Sequence, residues 1–167
     1  HHGDGVEQAF ADDPEVLTFS LHMDTGYAFP FTGGGLADQG APRGEAACLN
    51  VPLPKGFHDA DYEALFGVLW PHVLADFAPD VVVLEPGTDI IAGDPLGKLA
   101  VSTQQFLALV ARIQRDSPRL LVLGGGGYHP LLLARAWAGV WAILSGRDLP
   151  EAVPATGRAL LAGVEWD

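Results

Sequence analysis

Four short apolar runs punctuate the chain: 16–21, 48–51, 81–84 and 120–123. The last two are unbroken, β-branched or leucine-rich, and run into glycine-bearing turns. That pattern predicts strands buried on both faces, as in a parallel sheet covered by helices. Between the runs, apolar residues recur at helical spacing. Tyr62, Leu65, Phe66, Leu69, Val73 and Leu74 predict a helix over 59–77, with Asp59 or Asp61 as its cap. Phe106, Leu107, Leu109, Val110 and Ile113 predict a second over 102–115, and Pro118 follows its end. Residues 130–144 read as a third, and 148–167 as a terminal helix with loose ends. The alternation of strand and helix predicts an α/β layered sheet. Such sheets bind ligands outside the carboxyl ends of their strands, which directs attention to the loops after Leu84 and Leu123. Residues 22–47, with Gly33–Gly35 and two prolines, form a long irregular stretch. No repeat or linker divides the 167 residues, so one domain is expected.

Charge narrows the function classes. The net charge is −12, from 21 acidic and 9 basic residues. Direct binding to nucleic acid or to an anionic membrane needs a basic surface, so both are disfavoured. A cationic substrate is compatible. The single cysteine, Cys48, excludes an internal disulfide and suits a reducing cytoplasm. No apolar run reaches the roughly 18 residues of a membrane span. The only methionine is Met23, so the sequence reads as part of a longer chain.

Four clusters carry candidate chemistry. His1-His2-Gly3-Asp4 combines imidazoles that can ligate a metal with a carboxylate that can orient an imidazole. A frayed terminus or tag remnant fits the same residues. Asp89, in Glu85-Pro86-Gly87-Thr88-Asp89, directly follows a strand, where it can ligate a metal, act as a base or merely shape a turn. Asp94, in Gly93-Asp94-Pro95, allows the same readings with less force. Gly124–Gly127 precede Tyr128 at a strand end, where a bare backbone permits close approach and a phenol can donate to a reacting group. No Gly-Lys-Ser/Thr follows, so this is not a phosphate loop. Tyr27, Phe29 and Phe31 either line a substrate slot or anchor their loop.

In order, these segments resemble the zinc-dependent histone deacetylase superfamily, most nearly its class I-like and bacterial acetoin-utilisation-type members. The matching stretches are 1–10, 16–22, Phe29-Pro30, 50–54, 87–96 and 124–128, covering residues 1 to about 147. The resemblance implies an α/β, three-layer arginase/deacetylase-like fold with a mostly parallel sheet. It implies that 1–167 is the C-terminal part of a single such domain, without its N-terminal part. It also implies zinc-dependent removal of acetyl groups from acetyl-lysine or acetylpolyamine, with Fe²⁺ an alternative to Zn²⁺ at an Asp/His/Asp site. His1 and Asp89 match metal ligands. Tyr128 matches the donor to the acetyl carbonyl, and Asp4 the carboxylate that orients a catalytic histidine. Phe29 matches a wall of the substrate tunnel, with Gly126 and Gly127 beside it. Ser20 and Leu21 match donors to one structural K⁺ or Na⁺, and Phe10 and Val16 donors to a second.

Several positions depart from the family pattern. The other aspartate ligand and the catalytic His-His pair would fall before residue 1, so this chain alone is expected to be inactive. A complementing N-terminal segment or an oligomer is the expected partner, because a shortened sheet exposes an edge. A degenerate binding module of the same fold is the rival reading. Phe31 stands where glycine is usual, which would alter the tunnel rim. His129 stands where asparagine is common and reads as structural, and Glu85 stands where a neutral residue is usual.

Overall fold

The apolar runs do form strands. The computed structural model describes residues 1–38, 48–150 and 152–164. Strand β1 (Thr18–Met23) pairs in parallel with β2 (Cys48–Leu53), Thr18 opposite Cys48 and Met23 opposite Leu53. Strand β3 (Val82–Leu84) pairs in parallel with β4 (Leu120–Val122). Among the described residues five helices accompany them: α1 (Asp4–Phe10), α2 (Asp59–Phe77), α3 (Thr103–Asp116), α4 (Pro130–Leu144) and α5 (Ala155–Leu161). None is both long and apolar enough to cross a membrane among the described residues. Parts of two predicted regions, 39–47 in the irregular stretch and 151 and 165–167 in the tail, lie outside the described residues.

Helix α2 buries Tyr62, Phe66 and Trp70, one turn apart on a single face. Phe66 stacks on Trp70 with ring centroids 5.5 Å apart, and Phe19 of β1 stacks on the same indole at 6.5 Å. This aromatic pile joins β1 to α2. Helix α3 adds Phe106, Leu109, Val110 and Ile113 to the same core. Helix α4 approaches α3 closely, because a Cβ on Gly139 would lie only 2.6 Å from the Leu107 methyl carbons.

The helix starts correct one detail. His58, not an aspartate, occupies the N-cap of α2, and its own N–H donates to the Asp61 carboxylate at 3.2 Å. Asp59 instead accepts from the Ser102 N–H at 2.6 Å, fastening the start of α2 to the cap of α3. Ser102 in turn caps α3 by accepting from the Gln105 N–H. At the other end of α2, Ala78 adopts a left-handed conformation at φ 48° and donates to the Leu74 carbonyl. A Cβ is strained there, and glycine is the usual occupant. Ala78→Gly is therefore expected to stabilise the fold by about 1 kcal/mol, readable as a raised denaturant midpoint at unchanged slope.

The expected burial of β3 and β4 on both faces does not hold. Val82, Leu84, Leu120 and Val122 pack on the core, but Val81, Val83, Leu121 and Leu123 on the opposite face are exposed. The two strand pairs are also separate sheets. Between them runs a cavity of about 900 Å³, lined by residues of β1 and β3 and floored by Phe66, Trp70, Phe106 and Val110.

Candidate metal and catalytic site

The loops that follow β3 and β4 lie against each other at the carboxyl ends of those strands. After β3 the chain turns through Pro86-Gly87 into a single 3-10 turn, Thr88–Ile90. The Thr88 N–H donates to the Gly126 carbonyl at 2.7 Å, locking this turn to the glycine run after β4. The run has a steric reason. A Cβ on Gly125 would sit 2.7 Å from the Pro86 carbonyl carbon, one on Gly126 would collide with the Asp89 carboxylate, and one on Gly127 with the Thr88 hydroxyl. Asp89 is thereby walled in by backbone and is 2% exposed.

His1 reaches this carboxylate from the far end of the sequence. Its Nδ1 lies 2.6 Å from Asp89 Oδ2. Asp89 Oδ1 is buried with no hydrogen-bond partner among the described residues. An orphaned buried carboxylate oxygen beside an imidazole nitrogen is a donor pair suited to a divalent metal. It is still incomplete. Among the described residues no group of three or more His, Cys, Asp or Glu is placed to hold a metal ion.

Tyr128 stands beside this pair, its ring centroid 6.5 Å from that of His1, with half its surface exposed. Its backbone N–H donates to Asp94 Oδ2 at 2.7 Å. Asp94 Oδ1 accepts from the N–H groups of Leu96 and Gly97 at 2.9 and 2.8 Å. One buried carboxylate thus closes its own loop and holds the backbone of the tyrosine. His129 follows, and its side chain accepts from the Leu132 N–H at the start of α4, the cap that α4 needs. The structural reading of His129 agrees with this contact.

Behind His1, two buried imidazoles lie against each other, their rings tilted by 34°. His2 and His22 have ring centroids 4.3 Å apart. His22 Nδ1 lies 2.8 Å from Ser20 Oγ, and its Nε2 lies 3.0 Å from the Gly34 carbonyl oxygen, to which it donates as the protonated nitrogen of a neutral ring. Burial, reinforced by His2 alongside, pushes the His22 pKa down from 6.5 to about 4. His22 is neutral in the folded protein at neutral pH, whereas the unfolded chain takes up its proton as pH falls below 6.5. Stability should fall between pH 6.5 and 4, by on the order of 3 kcal/mol from this group. Urea midpoints measured across that window should show a smaller loss in His22→Gln.

The remaining predicted residues are more dispersed. Asp4 is exposed in the first turn of α1 and makes no hydrogen bond to His1 or Asp89. Phe29 is exposed, and with Tyr128, His1 and Asp89 it lines the large cavity. Phe31 lies beyond it in a left-handed conformation, φ 64°, with its ring in solvent. Lys55 places its ammonium 4.1 Å from the Tyr27 ring centre. Ser20 and Leu21 lie on β1, where the Ser20 hydroxyl is engaged with His22. The Phe10 carbonyl accepts from the Asp13 N–H, and the Asp13 carbonyl from the Val16 N–H. The structure therefore gathers His1, Asp89, Gly126, Gly127 and Tyr128 at one sheet edge and leaves Asp4 outside. Of the readings open to Asp94, the turn-shaping one matches its bonds to the Leu96 and Gly97 N–H groups, and its hold on the Tyr128 N–H is added by the fold; His22, beneath the site, was not singled out, because its partners are Ser20, His2 and a backbone carbonyl.

Comparison with known proteins identifies the family. Residues 1–144 match the histone deacetylase domain. Histone deacetylase 8 of Xenopus tropicalis is 38% identical over 154 residues, spanning 92% of this chain and 42% of that protein. Human histone deacetylase 1 is 38% identical over the same length, 32% of its own. The crystal structure of an HDAC homolog from Aquifex aeolicus superposes with a TM-score of 0.90 at 40% identity, covering 98% of this chain and 44% of that one. That of an HDAC homolog complexed with SAHA gives 0.91 at 39% identity. The chain spans less than half the length of these relatives. The fold is that of the deacetylases, and the chain belongs to the histone deacetylase family.

Proposed function

We propose that this chain supplies one side of the active site of a metal-dependent amidohydrolase that removes acetyl groups from N-acetylated amines. The observation that carries the reading is the convergence of His1 Nδ1 and the buried Asp89 carboxylate, one of whose oxygens has no hydrogen-bond partner among the described residues, beside Tyr128. His1 and Asp89 are two ligands of a site that needs a third, since catalytic zinc sites keep three protein ligands. The third, with the proton-accepting histidine, comes from outside these residues. When bound, a metal held by His1 and Asp89, Zn²⁺ or Fe²⁺, would supply Lewis-acid polarisation of the acetyl carbonyl and would acidify the attacking water. Tyr128 donates its phenol hydrogen to the carbonyl oxygen as negative charge develops there. Gly126 and Gly127 let the tyrosine's backbone lie against the metal-side loop, and Phe29 flanks the acyl-bearing chain. Asp4 acts on the proton-accepting histidine by orienting it. The main-chain or hydroxyl oxygens of Ser20, Leu21, Phe10 and Val16 hold K⁺ or Na⁺ and stiffen the loops around β1.

The substrate is an acetylated lysine or an acetylpolyamine. The charge of −12 favours an amine that is cationic elsewhere. A second reading, that the chain alone is inactive, is favoured by the shortage of metal donors among the described residues. Both are tested by acetate release from an acetyl-lysine peptide and from N-acetylputrescine. The 167-residue chain should release none. A protein that also carries the N-terminal half of a deacetylase domain should turn over at least one of them, lose activity to a chelator and regain it with Zn²⁺ or Fe²⁺. Full activity after exhaustive chelation would sink the metal-dependent reading.

A further inference from the structure

We infer that Phe31 is a specificity-determining residue, whose exposed ring receives an apolar side chain next to the acetyl-lysine of a peptide substrate. The inference rests on the proposed site for the position of the acetyl group, and it narrows the substrate class there to peptides.

Phe31 is unfavourable twice over where it stands. Its φ of 64° lies in the left-handed region, which a Cβ disfavours and which glycine or asparagine usually occupies. Its ring is 69% exposed, so burial offsets little of that strain. The fold gains nothing from a phenylalanine here that a glycine would not supply. A strained residue persists where its surroundings over-determine it, and such residues cluster at ligand-binding positions. The surroundings do fasten Phe31. Its N–H donates to the carbonyl of the buried Ala28 at 2.9 Å. The Thr25 hydroxyl donates to the Gly33 carbonyl at 2.7 Å, closing the loop around it. Gly34 lies against His22, whose Nε2 donates to the Gly34 carbonyl at 3.0 Å. The loop is therefore tied down on both sides of Phe31, and the ring is left outside.

The neighbours decide what the ring receives. Phe29 lines the cavity with His1, Asp89 and Tyr128, and is itself 64% exposed. A lysine stem that carries its acetyl group to His1 and Asp89 passes Phe29 and leaves the peptide backbone at the outer edge of the loop, where Phe31 stands two residues on. No charged side chain occurs from 25 to 37, so this edge offers apolar surface and no counter-ion for an ammonium. Tyr27, also exposed, already has the Lys55 ammonium 4.1 Å from its ring centre, a cation that repels a second. An acetylpolyamine, whose remainder is a charged amine chain, finds no complement at Phe31. A peptide with an aromatic residue beside its acetyl-lysine does. An exposed aromatic pair of this kind corresponds to a preference of roughly fivefold over alanine.

The test uses a protein carrying the complete deacetylase domain, with Tyr128→Phe to slow turnover, and measures peptide binding by titration calorimetry. Three acetyl-lysine peptides differ only in the residues flanking the acetyl-lysine, which are phenylalanine, alanine or lysine. The phenylalanine peptide should bind roughly fivefold tighter than the alanine peptide. Phe31→Gly should abolish that difference and leave the affinity for the alanine peptide unchanged. Phe31→Asn, polar but at ease in the left-handed region, should do the same. The urea midpoint of Phe31→Gly should be unchanged or raised, because glycine adopts this φ freely. A lowered midpoint would mean that the phenylalanine serves the fold, and overturns the inference. Equal binding of the phenylalanine and alanine peptides, tightest binding of the lysine peptide, a preference that survives both substitutions, or no binding of any peptide overturns it too. Acetate release is read separately, with Tyr128 in place. Release without any flanking preference removes this inference and leaves the hydrolase reading standing, whereas Phe31-dependent binding without release does the reverse.

Discussion

Tyr128→Phe, in a protein carrying the complete deacetylase domain, should lower kcat by roughly 10²–10³-fold while KM changes little. The hydroxyl is the only atom group removed. The ring remains half exposed beside His1, and the backbone N–H still donates to Asp94. Folding should be unaffected, because no described contact of the hydroxyl contributes to the core. The loss falls on kcat because the phenol meets charge that develops only in the transition state. A donor that bound ground state and transition state alike would raise KM instead. Steady-state kinetics on an acetyl-lysine peptide separate the two. A variant with full kcat would remove Tyr128 from the chemistry and leave the His1–Asp89 pair as the sole support for the proposed site.

Periodicity carries far in this chain where contacts are local, and stops where they are not. Helices α2, α3 and α4 follow from apolar spacing, because each presents one face to a single core. Helix α1 had no such signal: it is seven residues long and buries none of them. The two-sided burial expected for β3 and β4 failed for a related reason. An unbroken apolar run says that both faces can be covered, not that this chain supplies the cover, and Val83 and Leu121 remain exposed. The cap of α2 was misassigned because aspartate is favoured at several positions of a first turn, and only the fold shows Asp59 bound to Ser102, 43 residues away. His1 and Asp89 lie 88 residues apart in sequence. No spacing rule joins His1 to Asp89, and only the ordered resemblance to a family did so. The glycine run was read as allowing close approach to a ligand, whereas the surface it approaches in the fold is the chain's own Pro86–Asp89 turn.

Asp94 sets the sharpest contrast, and its replacement should cost both stability and turnover. A buried carboxylate accepting three backbone N–H groups is the strong, charge-assisted kind of contact. Asp94→Ala removes all three and leaves the Leu96, Gly97 and Tyr128 donors without it, a loss of about 4 kcal/mol on the scale of roughly 1–3 per stranded group. Asp94→Asn is the more informative change. Its oxygen can keep the Leu96 and Gly97 bonds, but its NH₂ then faces the Tyr128 N–H, donor against donor. Stability should fall by about 2 kcal/mol, and the Tyr128 backbone should move off the carboxylate. Because misplacement of a reacting group by about 1 Å can cost 10²-fold, kcat should fall by roughly that factor in the complete domain, with KM held. Combining the Asn change with Tyr128→Phe tests the coupling. If Asp94 acts on catalysis through the tyrosine, the double variant should be no slower than Tyr128→Phe alone, whereas a multiplied loss would mean that Asp94 serves the reaction independently.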